Sequence, residues 1–379
     1  MSRWGSGYSY DDPCYCDTWD DFVYKCNNPG QTGEVYTYIA LPTVDQQGNP
    51  IPPERRVMDL RSHDWYRSTT IIEQTNCYLW IEGNGWTILG LSIRDTTLFK
   101  INKASSGSTS SKNWKDNFVL RNLNIKNVYL QGTSCLFKTS ANGARIREIS
   151  GCKFSGVHDM STLSDPYNNT SSTPAIVSNS GNSYAGYNVI TACSFNFKFV
   201  GFIRIAIDRP ESAPTNNNSN EFNNCLFNLE GKLPNRYDNP YSSNNHSKPL
   251  IIIGKFYFCK FTGKLVLDTT STDAGPLYYP LFWCTDGTLN VIDFKVSYYP
   301  QNFYSYNGYL EFGSGGGSQC HVLFIDKPPD TPYGSTGGDV QLRLYNNSET
   351  FKIPSSRAQM TDETWLTNNG FVVGSAPTD

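Results

Sequence analysis

The densest group of residues able to act on a polysaccharide lies near the middle of the chain. Arg204, Asp208, Arg209 and Glu211 stand within one short stretch, and Asp286 is a further, isolated carboxylate. A polysaccharide lyase needs clustered carboxylates to hold calcium and a basic side chain to remove a proton. A glycosidase needs two carboxyl groups about 5–10 Å apart. These five residues are therefore the candidates for carbohydrate chemistry, although Asp286, which precedes a glycine, also fits an ordinary turn.

The motifs of known enzyme classes do not accompany these candidates. Galacturonase-like hydrolases carry Asn-Thr-Asp, Asp-Asp and Gly-His-Gly on neighbouring coils, and the sequence has only Asp-Asp, at 11–12 and 20–21 near the N-terminus. There is no phosphate-binding loop, and Gly-Asn-Gly at 83–85 is too short for a dinucleotide-binding fingerprint. We therefore assign no catalytic, cofactor-binding or metal-binding residue, and the sequence leans against an enzyme.

The cysteines and histidines also lack the spacing of a metal site. Cys14, Cys16 and Cys26 come nearest, but zinc prefers Cys-x₂-Cys or a histidine at ligand spacing. The four histidines are scattered, which favours surface or structural roles: His63, His158, His246 and His321. The eleven cysteines are an odd number, and most stand singly in apolar stretches. We expect structural free thiols in a protein that folds in a reducing compartment.

The composition is typical of strands and turns rather than of helices. Of the 379 residues, 14% are aromatic and 17% charged, against about 25% charged in an average soluble domain. Glycine and proline number 31 and 21. These values exclude an all-α protein and disfavour a βαβ enzyme.

Charge and hydropathy exclude two classes of partner. The net charge of −3 gives no electrostatic basis for binding nucleic acid or an anionic membrane. The longest apolar runs, such as residues 250–253, have the length of a strand and are too short to span a bilayer. The first eight residues lack the apolar region of a signal peptide, so export would need another route.

The clearest repeat is Cys-x-Phe, which occurs five times within short alternating stretches. Its copies begin at residues 135, 152, 193, 225 and 259. Because side chains alternate along a strand, the Cys and Phe of each copy point to the same face. The last four copies are 41, 32 and 34 residues apart. Supersecondary repeats at about 20–50 residues indicate a solenoid or a propeller.

The irregular intervals favour an all-β fold of the right-handed parallel β-helix type, a solenoid in which small and aromatic side chains stack inside successive coils. A propeller would need four regularly connected strands in each blade, an order that the sequence does not show. A β-sandwich with coincidental Cys-x-Phe pairs is the alternative. The step of 17 residues from 135 to 152 is short for a full coil, so we expect Cys135 on a different strand face.

Composition divides the chain into four parts. They are an N-terminal leader for attachment (1–34), an N-terminal cap of the β-helix (35–70), the parallel β-helix with loop insertions (71–303) and a C-terminal β-rich region (304–379). Short capped helices are predicted over 18–23 and 361–366. The polar segments 158–186, 208–220 and 232–248 are predicted to leave the coils as loops.

Two stretches resemble β-helical virion proteins of tailed bacteriophages. The first comprises Thr-Trp-Asp-Asp-Phe-Val at 18–23 and, after further strands, Ile-Glu-Gly-Asn-Gly-Trp-Thr-Ile-Leu-Gly-Leu at 81–91. Such proteins open with a short helix and then a first coil of the form Ile-x-Gly-Asn-Gly-x-Thr-Ile. The second stretch, residues 360–371, is similar to their closing helix and its final Gly-Phe.

The resemblance implies a structural component of the virion: a fibre, a spike or a decorating protein of the head or tail. Such a protein folds in the host cytoplasm, in agreement with the unpaired cysteines, and ends in the virion. Homotrimers are common in this class. An enzymatic tailspike of lyase or hydrolase type stays open as an alternative. A non-viral surface adhesin would need an export route.

The resemblance also suggests where partners bind. The N-terminal segment would dock on other virion proteins, and the loops 158–186 and 232–248 would contact a partner such as a host surface glycan. The tyrosine pairs 278–279 and 298–299 could stack on sugars. They could equally be interior rungs or subunit contacts.

Overall fold

The computed structural model describes most of the chain up to residue 233 and a series of strands beyond it. The described residues are 9–11, 13–28, 36–74, 78–102, 118–139, 144–163, 175–179, 188–200, 205–207, 220–233, 252–257, 260–268, 278–284, 292–299, 309–314, 321–326, 341–345, 364 and 368. Side chains are described as far as residue 231, and the later strands are described by their backbone.

The described residues form one α-helix, one 3₁₀ helix and 27 strands. The helices are α1 (Trp19–Asn27) and a 3₁₀ turn (Pro53–Arg55). The first strands are β1 (Cys14–Tyr15), β2 (Tyr36–Ala40), β3 (Val57–Asp59), β4 (Tyr66–Arg67), β5 (Ile72–Gln74), β6 (Tyr78–Glu82), β7 (Thr87–Leu89), β8 (Ser92–Arg94) and β9 (Thr97–Ile101). The next are β10 (Phe118–Arg121), β11 (Asn124–Gln131), β12 (Cys135–Thr139), β13 (Ile146–Ser150), β14 (Lys153–Asp159), β15 (Val177–Asn179), β16 (Asn188–Thr191), β17 (Ser194–Val200) and β18 (Ala206–Ile207). The last are β19 (Asn220–Asn223), β20 (Leu226–Leu233), β21 (Ile252–Tyr257), β22 (Lys260–Asp268), β23 (Tyr278–Cys284), β24 (Ile292–Tyr299), β25 (Tyr309–Ser314), β26 (His321–Asp326) and β27 (Gln341–Tyr345).

The strands recur along the chain as triplets, and each triplet pairs with the next. Strands β10, β11 and β12 pair in parallel with β13, β14 and β15, respectively. The same pattern continues from β13, β14 and β15 to β16, β17 and β18. The pairings build a 15-stranded and a 12-stranded sheet. Among the described strands, antiparallel pairing occurs only where β27 meets β24 and β26.

The sequence prediction of an all-β chain with parallel strands is therefore confirmed. A β-sandwich is built from antiparallel sheets, so the parallel pairing overturns that alternative. The ladders extend on both sides of the region predicted to be β-helical: β2 pairs with β6, and β25 pairs with β23 beyond residue 303. Segments 158–186, 208–220 and 232–248, predicted as loops, are described only in part. Within the first of them, β15 (Val177–Asn179) belongs to a ladder.

The Cys-x-Phe repeat fills the interior at one corner of successive triplets. Phe154, Phe195 and Phe227 are each about 1% exposed, and their ring centroids are 5.2 Å and 5.1 Å apart in sequence order. Cys152 and Cys193 lie beside them in the turns that precede β14 and β17. The cysteines and phenylalanines therefore form two interior columns that run from one triplet to the next.

Cys135 lies elsewhere, as the short 17-residue step predicts. It is the first residue of β12 and pairs with Thr97 of β9 rather than standing in the corner column. Its thiol lies 3.1 Å from the Thr97 hydroxyl, and burial raises the pKa of this thiol to about 11. Cys135 is thus a buried structural residue of a different ladder.

A single residue with a left-handed backbone conformation makes the turn before each of the strands β11, β14, β17 and β20. Asn122, Gly151, Ala192 and Asn224 have φ values of 53°, 63°, 51° and 52°. The chain changes direction at this one residue. The backbone amides of Asn122, Gly151 and Ala192 each donate a hydrogen bond to a carbonyl oxygen of the following triplet. Glycine and asparagine tolerate this conformation, whereas for other residues its conformational free energy is roughly 1–2 kcal/mol less favourable. Ala192 is therefore the strained member of the series.

We expect Ala192→Asn to raise the free energy of unfolding by about 1 kcal/mol, because asparagine adopts φ > 0 at lower cost. Ala192 is exposed, so the new side chain meets no packing obstacle. Ala192→Val should lower the stability, since a β-branched residue is a genuine outlier in this region. Urea unfolding of the two variants beside the parent chain measures both effects. Equal stability of all three proteins would contradict the strain.

The Gly-Asn-Gly stretch at 83–85 lies where successive triplets pack closely against each other. A Cβ atom on Gly83 would lie 2.6 Å from Cβ of Leu123 and 2.7 Å from the carbonyl oxygen of Asn122. Asn84 has φ 50°, and its side-chain amide donates to the carbonyl of Leu41 at 2.8 Å. Gly85 has φ 78°. The motif therefore combines a close approach with two left-handed residues in succession.

The N-terminal segment packs onto the first triplet. The helix predicted over 18–23 is present and extends to Asn27; Thr18 caps its N-terminus by accepting from the Asp21 amide at 3.3 Å. Trp19 and Phe22 lie in the same hydrophobic core as the strands. The segment 13–28 therefore packs against the core through one face. Of the C-terminal helix predicted over 361–366, only residue 364 is described, and it is helical.

Candidate functional site

The residues that could act on a polysaccharide lie outside the described part of the chain. This holds for the whole candidate set: Arg204, Asp208, Arg209, Glu211 and Asp286. The tyrosine pairs 278–279 and 298–299 fall in β23 and β24, where the backbone alone is described. None of these residues is brought into a site by the described structure.

The three N-terminal cysteines, Cys14, Cys16 and Cys26, are buried and form no disulfide bond. Burial raises the pKa of the Cys16 thiol far above its ordinary value, so this thiol is protonated at neutral pH. Throughout the described residues, no three His, Cys, Asp or Glu side chains form a group that could hold a metal ion. His63 is exposed, and His158 is buried with its ring 6.0 Å from that of Phe199. His321 begins β26, and His246 is outside the described residues.

The described structure instead brings together five aromatic side chains on the outside of the first strands. Strand alternation turns Tyr36 and Tyr38 of β2 outward, because Thr37 and Ile39 between and beyond them are buried. The same alternation governs Tyr78 and Trp80 in β6. The register places Tyr36 beside Tyr78 and Tyr38 beside Trp80. With Tyr10, these residues form what we call the aromatic surface.

Trp80 stands at the centre of the aromatic surface. Its ring centroid is 5.3 Å from that of Tyr38 and 5.6 Å from that of Tyr36. Tyr10 stands nearly perpendicular to Tyr38 and Trp80, at interplanar angles of 79° and 77°. Tyr10 is 68% exposed, Tyr36, Tyr38 and Trp80 are half-buried and Tyr78 is buried. The rings thus form a partly solvent-exposed cluster in which Tyr10 packs edge-on against Tyr38 and Trp80.

An ion pair borders the aromatic surface, and its guanidinium group lies over the ring of Trp80. The guanidinium carbon of Arg121 lies 4.5 Å from the ring centroid of Trp80, a cation–π contact. Arg121 also donates two hydrogen bonds to Glu148, at 2.9 Å and 2.6 Å, and the Ser150 hydroxyl donates to Glu148 at 2.6 Å. The bidentate geometry is the strong form of this interaction. The border is therefore polar and held in one arrangement.

The charges beside the aromatic surface compensate one another. Burial disfavours the charged form of Glu148, but hydrogen bonds from Arg121 and Ser150 outweigh it and hold the pKa of this carboxyl below 4.5. The negative charges of Glu148 and Glu82 raise the pKa of the Arg121 guanidinium, whereas the positive charge of Arg147 lowers it. Two arginines and two glutamates thus lie along this border.

The lowered pKa of Glu148 predicts a pH-dependent contribution to stability. Because the folded state holds the carboxylate more tightly than the unfolded state, the contribution is complete above the unfolded value near 4.5 and is lost as the pH falls through the lower folded value. We expect Glu148→Gln to lower the urea midpoint of unfolding at pH 7. The difference in midpoint between the variant and the parent chain should shrink as the pH falls. In an Arg121→Gln background the same substitution should have a smaller effect at pH 7. Additive effects would contradict the pairing.

Alternation alone could have found part of this site. Tyr-x-Tyr at 36–38 and Tyr-x-Trp at 78–80 each place two aromatic residues on one strand face, and both faces are outward because the intervening residues are apolar or small. The sequence interpretation concentrated on carboxylates and missed this signal. That the two pairs are neighbours depends on the register between β2 and β6.

Comparison with protein families, with curated proteins and with solved structures found no match. No helix among the described residues is long and apolar enough to cross a membrane.

Proposed function

We propose that this chain is a structural component of a tailed-phage virion, a fibre, spike or decorating protein of the head or tail. The observation that carries the proposal is the succession of parallel strand triplets. In our proposal these triplets are the coils of a right-handed parallel β-helix, and the chain forms a homotrimer. The sequence resemblance at 18–23, 81–91 and 360–371 supports this proposal.

A coil stack suits an exposed virion part for a physical reason. Each added triplet pairs its backbone groups with the preceding triplet, so hydrogen bonds run along the whole stack. Interior columns such as Phe154, Phe195 and Phe227 continue the packing in the same direction. The product is a stiff rod on which loops remain available for contact with a host surface.

The cysteines fit folding in the host cytoplasm before assembly. The seven cysteines whose side chains are described are buried and form no disulfide bond, as expected in a reducing compartment. The N-terminal segment would dock on other virion proteins. Trp19 and Phe22 face the core, so docking would use its outer side, where Tyr24 is 64% exposed.

The test is immunogold labelling of intact phage particles with an antibody raised against residues 71–300. Discrete gold particles on the head or on the tail would support the proposal and assign the location. Particles treated with pre-immune serum provide the background. Purified particles that lack the protein by immunoblot, and that stay unlabelled, would overturn the virion role and return attention to a carbohydrate-active enzyme.

A further inference from the structure

We propose that Cys152 and Cys193 form an oxidation site, at which a peroxide joins the two thiols into a disulfide bond between successive triplets. The inference is independent of the virion role, because it concerns two side chains of this chain and is tested on the isolated protein. It rests on three observations: the register of the two cysteines, the contacts of their thiols and their place at a turn.

The two cysteines occupy equivalent positions in neighbouring triplets. The residues that follow them, Lys153 and Ser194, are directly paired in the parallel ladder of β14 with β17. The Ser194 amide also donates a hydrogen bond to the backbone carbonyl of Cys152 at 3.0 Å. Neighbouring strands lie about 4.8 Å apart, and a disulfide bond joins Cα atoms that are about 4.4–6.8 Å apart. The register therefore places the two cysteines within reach of one bond, although they are 41 residues apart in the chain.

The two thiol groups make matching contacts and also contact each other. The Cys152 thiol donates to the carbonyl of Ser150 at 3.2 Å, and the Cys193 thiol donates to the equivalent carbonyl of Thr191 at 3.3 Å. The Cys193 thiol also lies 3.5 Å from the carbonyl oxygen of Ile149, in the triplet that contains Cys152. A hydrogen bond joins the two thiols. The two sulfur atoms are therefore neighbours before any reaction takes place.

Both thiols lie at a turn, next to residues that face the solvent. Cys152 is buried between the exposed residues Gly151 and Lys153, and Cys193, which is 2% exposed, follows the exposed Ala192. A small movement of the turn is sufficient to admit a small peroxide, whereas a bulky oxidant is kept out. The hydrogen bond to Cys152 and burial raise the pKa of the Cys193 thiol above its ordinary value. Because the thiolate is the reactive form, the reaction is slow at neutral pH and faster in alkaline solution.

The reaction balances with hydrogen peroxide as the oxidant. One thiol, as the thiolate, attacks a peroxide oxygen and becomes a sulfenic acid, while the O–O bond breaks and the other oxygen leaves as water. The second thiol then attacks the sulfenic sulfur, the S–S bond forms and the sulfenic oxygen leaves as a second water. In total the two thiols lose two hydrogen atoms and two electrons, and one hydrogen peroxide is reduced to two water molecules.

The disulfide bond would cross-link two triplets and restrain the chain between them. The closed loop contains the polar segment 158–186. A cross-link limits the freedom of the unfolded chain, and its stabilising effect grows with the length of the loop. We therefore expect the oxidised protein to unfold at a higher urea concentration than the reduced protein. A reductant should restore the original midpoint.

The experiment is peptide mapping of the full chain after treatment with hydrogen peroxide. The remaining thiols are alkylated, the protein is digested, and linked peptides are identified by mass spectrometry with and without a reductant. We expect one dominant link, between Cys152 and Cys193, in a protein that runs as a single chain on a non-reducing gel. The initial rate of its formation should rise about tenfold from pH 7 to pH 8, in proportion to the thiolate.

Two variants and a matched control assign the bond. Cys152→Ser and Cys193→Ser should each abolish the link and the shift in urea midpoint that follows oxidation. Cys135→Ser, which removes a buried thiol from a different ladder, should keep both.

The parent chain alone decides the question if a serine substitution impairs folding. The proposal is overturned if the folded, peroxide-treated chain contains no link between Cys152 and Cys193, or if links are scattered evenly over many pairs of cysteines. A dominant link between Cys193 and Cys225 would overturn it as well, because the reacting pair would then be a different one.

Discussion

Replacing Phe195 by alanine should lower the free energy of unfolding by about 3–5 kcal/mol. The side chain is about 1% exposed and stacks between Phe154 and Phe227, with Phe222 at 6.2 Å. Its removal leaves a cavity that three aromatic rings border, and rings fixed by their own strands can close such a cavity only in part. Urea unfolding monitored by circular dichroism measures the loss.

Asn196→Ala is the matched control, because Asn196 is the next residue of the same strand and points outward. Its side chain accepts a 3.1 Å hydrogen bond from Asn228 in an exposed position, so its loss should cost less than about 1 kcal/mol. A Phe195→Ala protein as stable as Asn196→Ala would contradict the interior column. It would mean that the rings do not pack continuously from one triplet to the next.

The interior column shows what alternation can predict. The pattern of Cys193 and Phe195 predicts both side chains inside, and both are buried, although Cys193 lies in the turn before β17 and not in the strand. The spacing from Cys135 to Cys152 predicts a different strand face for Cys135, which pairs in the ladder of β12 with β9, whereas Cys152 lies in the turn before β14. Each of these inferences needs only the local period of a strand and the length of one repeat.

The aromatic surface shows what alternation cannot predict. Tyr38 and Trp80 meet because β2 and β6 pair in one particular register, and a shift by one residue would turn one of the two rings inward. The ion pair of Arg121 with Glu148 adds two further strands to the same surface. Register across several strands depends on the lengths and packing of the intervening segments, which composition and periodicity do not specify.

The N-terminal segment is predicted to be a leader for attachment, and the packing of its buried face against the core meets a further physical requirement. A stack of strands has exposed backbone groups at its ends, which invite pairing with another chain, and terminal repeats therefore need a cap. Strand β1 pairs with the outer edge of β2. The Asn27 side chain donates to the carbonyl of Ile71 at 2.7 Å and accepts from the amide of Glu73 at 2.8 Å, at the edge of β5. Strand β1 and helix α1 thus lie at the two ends of the strand order in the 15-stranded sheet.

Phe22→Ala should consequently have two effects. The side chain lies on the buried face of α1 and is fully buried in the core, so its truncation should cost about 3–5 kcal/mol. Because α1 would then detach at lower cost than the rest of the fold, the edge of β5 should become available to other chains. We expect self-association, measured as a rise in light scattering at urea concentrations below the main unfolding transition.

Tyr24→Ala is the matched control, because it removes an exposed aromatic side chain of α1 instead of a buried one. Tyr24 lies two residues further along the same helix and is 64% exposed, so it loses the same kind of side chain without touching the core. This variant should remain monodisperse or keep the parent's oligomeric state, with a change in stability below about 0.5 kcal/mol. If Phe22→Ala unfolds in one step without added self-association, the helix is an integral part of the core but not a cap. Self-association of both variants would show instead that the outer side of α1 shields the chain from its own copies.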